Sequence, residues 1–344
     1  MPHLLVLRIN QRFSMTVVFY PTYKSGCLHP ESEAILTQIA LGGGLPVHEM
    51  SPSEARNGFL PPGWLEPPRK DIAVRKTTAG GVPVRIYTPD GTGPKPILIF
   101  FHGGGFVAGN LDEFEAFCTI LAEGAQCIVV SVGYRLAPEA PFPAAVDDAW
   151  AATKWIASRA FAFGGDSSRI AVAGDSAGGN LAAVVSMLAR DSNDLNLIHQ
   201  TLICPWVDLS PASESTESFN HFGQGLWLSA KGIEWYRYHY LTDLAQAKDP
   251  RVSPLLADHF NNLPPALVLT AEFDVLADQG RAYARCLETA GVPVTFSSYP
   301  GMLHDFLVLP ALFTPARDAI NQITSSLKSA FSMSLIERTG NSHV

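Results

Sequence analysis

A serine, a carboxylate and a histidine, met in that chain order, are the side chains here whose types could perform nucleophilic chemistry. Ser176 stands in Gly174-Asp175-Ser176-Ala177-Gly178, a G-x-S-x-G pentapeptide. The short apolar run Ile170 to Ala173 precedes it, and a helix-forming run from Leu181 to Arg190 follows. That strand–turn–helix context is what a nucleophile elbow requires. Residues two before and two after the serine nearly touch in such a turn, and Gly174 and Gly178 lack the Cβ that would collide. A helix N-terminus beside the hydroxyl favours negative charge. The pentapeptide alone also fits a glycine turn capped by serine, so the remaining parts of a site carry the argument.

Those parts are sought at the carboxyl ends of strands, where open α/β sheets bind ligands. Of ten histidines, His304 follows the last expected strand and His102 follows the run Ile97 to Phe101. Asp274 follows the run Ala266 to Thr270. The order Ser176, Asp274, His304 is that of an α/β-hydrolase triad. Each type has a task. A serine hydroxyl is a weak nucleophile until a base takes its proton. Histidine can do so near neutral pH and return the proton to the leaving group. A carboxylate fixes the ring tautomer and stabilises the imidazolium. Asp278, one helical turn on, and Glu272 are the competitors for Asp274. Asp305 is expected to point elsewhere. His102-Gly103-Gly104-Gly105 resembles an oxyanion loop, in which the N–H groups of Gly104 and Gly105 would join that of Ala177. His102 is expected to brace this loop.

The elements that must position these groups follow from hydropathy patterning. At 344 residues, 47% hydrophobic and 16% charged, the chain can bury one large core and a smaller appendage. A formal net charge of −8 argues against nucleic acid as a partner. Five cysteines lie without pair spacing, which suits a reducing compartment and suggests no metal site. No apolar stretch reaches the length of a membrane span. Apolar runs at 97–101, 128–132, 170–173, 201–204, 266–270 and 294–299 alternate with helical patterns at 114–124, 144–160, 181–190, 279–290 and 316–327. The fold class expected is α/β: a mostly parallel sheet with helices on both faces. A hairpin at 72–77 and 82–88 should form an antiparallel edge.

The expected organisation is an N-terminal extension (residues 1–27) and N-terminal cap helices (28–70). A core in two parts (71–206 and 251–330) then brackets a cap insertion (207–250), before a C-terminal tail (331–344). The insertion is aromatic, with Phe219, Phe222, Trp227, Trp235, Tyr236, Tyr238 and Tyr240. A loop that long without structure would be unusual, so it should hold helices, whose aromatics at helical spacing read as core or, in the functional reading, as a lid that walls a pocket over Ser176. Met1 to Lys24 carries no acidic residue, and Arg8 and Arg12 interrupt any signal-peptide core. A cytoplasmic protein is expected, with the residues before Pro30 outside the core.

Taken with Tyr134-Arg135-Leu136-Ala137-Pro138-Glu139 and Gly301-Met302-Leu303-His304-Asp305-Phe306, these motifs resemble the hormone-sensitive lipase family of carboxylesterases, in its bacterial type with Gly-Asp-Ser-Ala-Gly. The resemblance runs from about Pro30 to Leu327. It implies an α/β-hydrolase core, a cap built from the N-terminal segment and the insertion, no cofactor, and hydrolysis of short- to medium-chain acyl esters of small molecules. It also implies Gly104, Gly105 and Ala177 as oxyanion donors, and a homodimer through the last strand and its neighbouring helix. An amidase, a deacetylase or a lactonase would use the same triad. The plant gibberellin receptor is similar to this family but lacks the catalytic histidine, which stands here as His304.

Overall fold

The computed structural model describes residues 16–17, 26–57, 59–192 and 194–340. Among the described residues nine strands form one sheet in the order β1-β9-β8-β7-β6-β4-β5-β3-β2. They are β1 (Thr16–Val17), β2 (Ile72–Ala79), β3 (Val82–Pro89), β4 (Lys95–Phe101), β5 (Ile128–Val132), β6 (Gly165–Asp175), β7 (Leu197–Ile203), β8 (Ala266–Phe273) and β9 (Val294–Leu303). The pairs from β9 through β5 are parallel, and β2 and β3 are antiparallel at one edge. The fold is that of an α/β hydrolase.

Burial on both faces explains why the central strands read as unbroken apolar runs. Ile97, Ile99 and Phe101 of β4 join the core that also buries Ala145, Leu181 and Tyr283. These come from α4 (Ala144–Arg159), α5 (Ala177–Ser192) and α8 (Ala277–Thr289). The alternate residues Leu98 and Phe100 join the opposite core with Phe117 and Ile323. These come from α3 (Glu115–Ala125) and α9 (Pro315–Gly340).

Several boundaries differ from the sequence reading. Helix α9 runs beyond Leu327, so residues 331–340 continue it rather than trail away. Strand β7 starts at Leu197 because His199 and Gln200, though polar, are buried in the sheet. Strand β9 passes through Pro300-Gly301 to Leu303, and its register against β8 shifts between Ala271 and Phe273. Residues before Pro30 also touch the sheet: Thr16 and Val17 pair with Thr295 and Phe296 of β9. An unpaired edge offers a row of N–H and C=O groups, which this short segment satisfies. It lies on the edge through which the sequence reading expected a dimer to form. Of the N-terminal segment Met1–Lys24, all but these two residues lie outside the described set. Among the described residues no helix is long and apolar enough to cross a membrane.

Two segments lie over the carboxyl ends of the strands. The first holds α1 (Pro30–Gly42) and α2 (Pro52–Arg56), each started by an N-cap hydrogen bond that the His29 side chain accepts from Glu31 N and the Ser51 side chain from Glu54 N. Ser51 and Glu54 form a reciprocal capping box, the arrangement that satisfies two free N–H groups at once. The second holds α6 (Glu217–Phe222) and α7 (Ala230–Tyr240), so the aromatic insertion is helical. Phe219, Tyr236 and Tyr240 are buried in it, whereas Tyr238 is 78% exposed.

Candidate active site

Strand β6 ends at Asp175 and α5 begins at Ala177, leaving Ser176 alone at the turn. Its φ of 53° lies in the left-handed region, which costs a residue with a side chain about 1–3 kcal/mol. Three backbone hydrogen bonds hold it there. Ser176 N donates to Ile203 O at 2.8 Å, and Ser176 O accepts from Asn180 N and Trp206 N, both at 3.1 Å. The glycines are sterically required. A Cβ on Gly174 would lie 2.1 Å from Gly178 O, and one on Gly178 would lie 1.9 Å from Phe101 O.

His304 Nε2 lies 3.0 Å from Ser176 Oγ, and its Nδ1 lies 2.7 Å from Asp274 Oδ2. All three side chains are buried, Ser176 and His304 being only 6% and 5% exposed. The bulge between β8 and β9 carries the chain to His304, and Asp274 stands just after β8, its Oδ1 accepting from Leu276 N at 2.9 Å. The structure does not bring the other carboxylates here. Asp278 accepts from Ser218 N at 2.8 Å, and Glu272 accepts from Gly301 N and Gly26 N, also at 2.8 Å. Burial alone would depress the His304 pKa, but the charges of Asp274 and Asp305 outweigh it and hold the imidazole well above its ordinary value.

One expectation fails. Asp305 does not point away: its Oδ2 lies 3.2 Å from His304 Nε2, the same nitrogen that faces Ser176. The cause is the backbone, since Asp305 has a φ of 54° and is 8% exposed. Sequence reading also missed Cys204. Its thiol, an Asp274 oxygen and a His304 nitrogen lie within 4.8 Å of one another. These donors could hold a metal in principle, but Asp274 and His304 are already engaged with each other.

The glycine loop after β4 follows the same close-packed logic. Gly104 and Gly105 have φ values of 109° and 60°, and Gly104 O accepts from Val107 N and Ala108 N at 3.0 and 2.8 Å. A Cβ on Gly103 would lie 2.2 Å from Asp175 Oδ2, and one on Gly105 would lie 2.2 Å from the Tyr236 ring. His102 is stacked on Tyr134 at 4.4 Å and accepts the Tyr134 hydroxyl on its carbonyl at 2.7 Å. Burial pushes its imidazole down to about 4, so it stays neutral. Gly104, Gly105 and Ser176 line one cavity, and Ala177 opens α5 beside them, where helix N–H groups lack intrahelical partners.

That cavity has a volume of about 760 Å³ and is walled mainly by apolar side chains from both overlying segments. Leu36, Phe59 and Trp64 come from the first segment, Trp227 and Ile233 from the second. Trp64 and Trp227 meet across it with ring centroids 5.2 Å apart. A neutral, greasy group would be desolvated there with its polar end at Ser176.

Comparison with known proteins bears on the family and the fold. A family model described as alpha/beta hydrolase fold matches residues 98–308. The chain is 38% identical over 316 residues to ethyl acetate hydrolase of Pseudomonas putida, spanning 88% of this chain and 98% of that one. It is 42% identical over 260 residues to the carboxylic ester hydrolase LipN of Mycobacterium tuberculosis, spanning 74% of this chain and 68% of LipN. Among solved structures, a thermostable esterase from Pseudomonas putida superposes with a TM-score of 0.84 at 36% identity, covering 90% of this chain and 99% of that one.

Proposed function

Since this chain belongs to the alpha/beta-hydrolase-fold family, as a carboxylic ester hydrolase of the hormone-sensitive lipase type, we propose a specific chemistry for its site. The enzyme hydrolyses short- to medium-chain acyl esters of small molecules by two-step acyl transfer. Ser176 is the nucleophile, His304 the base and then the acid, and Asp274 the carboxylate that orients it. The N–H groups of Gly104, Gly105 and Ala177 receive the oxyanion.

In this reading His304 carries its resting proton on Nδ1, donated to Asp274. Its Nε2 takes the Ser176 proton as Oγ adds to the ester carbonyl. The carbonyl oxygen becomes an anion, and each backbone donor that meets it is worth about 2.7–4 kcal/mol of barrier. As the C–O bond breaks, Nε2–H passes to the departing alcohol. Water then repeats the sequence on the acyl-enzyme and releases the acid. A cap formed by residues 28–70 and 207–250 supplies the acyl pocket.

The observation that carries the reading is the continuous line Ser176 Oγ, His304 Nε2, His304 Nδ1, Asp274 Oδ2, with gaps of 3.0 and 2.7 Å. A series of p-nitrophenyl esters from acetate to palmitate tests it. The expected kcat/KM peaks among the shorter chains and vanishes throughout in Ser176→Ala. A peak at palmitate would overturn the chain-length claim, and surviving turnover in Ser176→Ala would overturn the mechanism. The homodimer that the resemblance implies is a separate reading, tested by sedimentation.

A further inference from the structure

His304 Nε2 has two oxygens within reach, Ser176 Oγ at 3.0 Å and Asp305 Oδ2 at 3.2 Å. These two neighbours are not equivalent. A hydroxyl can donate to a bare Nε2, whereas a carboxylate can only accept. Asp305 therefore engages Nε2 only when that nitrogen carries a proton. We propose that Asp305 is a second carboxylate of the relay, a positioning residue that holds the Nε2–H of protonated His304 opposite Asp274 on Nδ1. The proposal rests on the acyl-transfer reading of Ser176 and His304.

The surroundings leave this carboxylate little else to do. Asp305 is 8% exposed, and its second oxygen, Oδ1, is buried with no hydrogen-bond partner. The titratable groups that sense its charge are His304 itself, Asp175 at the end of β6, the Cys204 thiol after β7 and the Tyr236 phenol on α7, with Asp274 on the far side of His304; His48 and Lys231 line the same cavity. Asp175 is fully buried, and burial together with the charge of Asp305 pushes its carboxyl well above the ordinary range.

Two consequences follow. Below its pKa, His304 is an imidazolium clamped between Asp274 and Asp305, and Ser176 has no base. During turnover the same clamp stabilises the imidazolium that forms when Nε2 takes the Ser176 proton, until that proton moves to the leaving alcohol. The sign is therefore fixed. Anionic neighbours raise the pH at which His304 gives up its proton, so activity is lost as pH falls through that point. Removing one anion moves the acid limb of kcat/KM toward lower pH.

The test is the pH profile of Asp305→Asn, measured with p-nitrophenyl butyrate on the full chain. Asparagine keeps the shape and tolerates the left-handed backbone, and Asp305→Gly, free at that φ, is the second variant should Asn not fold. The expected result is an acid limb shifted to lower pH. On the acid side, activity as a fraction of the plateau rises about tenfold or more above wild type. The plateau kcat falls about tenfold or less, with KM nearly unchanged. Asp305→Glu should return the limb toward the wild-type position. An acid limb that stays put in both Asn and Gly variants overturns the proposal, whatever happens to the plateau, while leaving the Ser176 mechanism standing. Loss of that mechanism would show separately, as turnover by Ser176→Ala.

Discussion

The turn around Ser176 and the segments over it are built by opposite means. At the turn, backbone meets backbone: Gly174, Gly178 and Phe101 pack so tightly that a single Cβ would collide. Over the cavity, short helices meet through side chains, and apolar residues such as Leu41 and Leu45 remain 83% and 54% exposed. A few polar ties fasten this cover. Arg56 donates to Val107 O at 2.7 Å and to Glu139 at 2.9 Å, and Ser32 Oγ donates to Gly301 O at 2.8 Å. The difference teaches a division of labour. Chemistry that tolerates little displacement is set by main-chain geometry in a close-packed core, and substrate choice is left to side chains that can be exchanged.

Substitutions can break or sharpen that contrast. Ser176→Ala should have the largest effect, a fall in kcat of about 10⁶-fold with the fold intact by circular dichroism. Asp274→Asn should lose about 10⁴-fold, because the ring loses its tautomer, whereas Asp278→Asn should stay within about threefold. Equal losses at the two aspartates would blur the boundary between core and cover. Gly105→Ala pushes a methyl at the Tyr236 ring and disturbs a backbone donor, so kcat should drop about 10²–10³-fold. This variant probes a place where the loop and the cover touch. Trp227→Ala opens the cavity wall without reaching the relay. It should raise KM for octanoate more than for acetate, by about tenfold at most, and leave kcat on acetate nearly unchanged. The smallest effect belongs to Glu139→Gln. The Arg56 guanidinium beside Glu139 lowers its pKa to about 2, but the carboxylate is 66% exposed, so chemical denaturation should register a loss below about 1 kcal/mol.

Legibility in the sequence divides along the same line. The elbow was readable because its steric demand selects residue types, glycine two before and two after the serine. The buried strands were readable because burial on both faces leaves unbroken apolar runs. Position just after a strand favoured Asp274 in the sequence, with Asp278 and Glu272 as competitors. The structure separates them through the start of α8 at Ala277, which leaves Asp274 before the helix and puts Asp278 in its first turn, where it meets Ser218 N. Asp305 was misread for a similar reason. A neighbour in an extended strand points the opposite way, but a positive φ swings this carboxylate back onto the ring of His304. The pairing of Thr16–Val17 with β9 was invisible, because two residues carry no period. How Trp64 and Trp227 face each other depends on how two segments far apart in sequence fold over the core, and composition holds no trace of that.

The central claim is that Ser176 becomes acylated while His304 and Asp274 move its proton. Incubation with a fluorophosphonate followed by peptide mapping tests this most directly. The account predicts one adduct per chain, on Ser176, forming at a rate that collapses in His304→Ala and is absent in Ser176→Ala. Stoichiometric labelling on another residue, or full ester turnover by an enzyme whose Ser176 stays unlabelled, would contradict it.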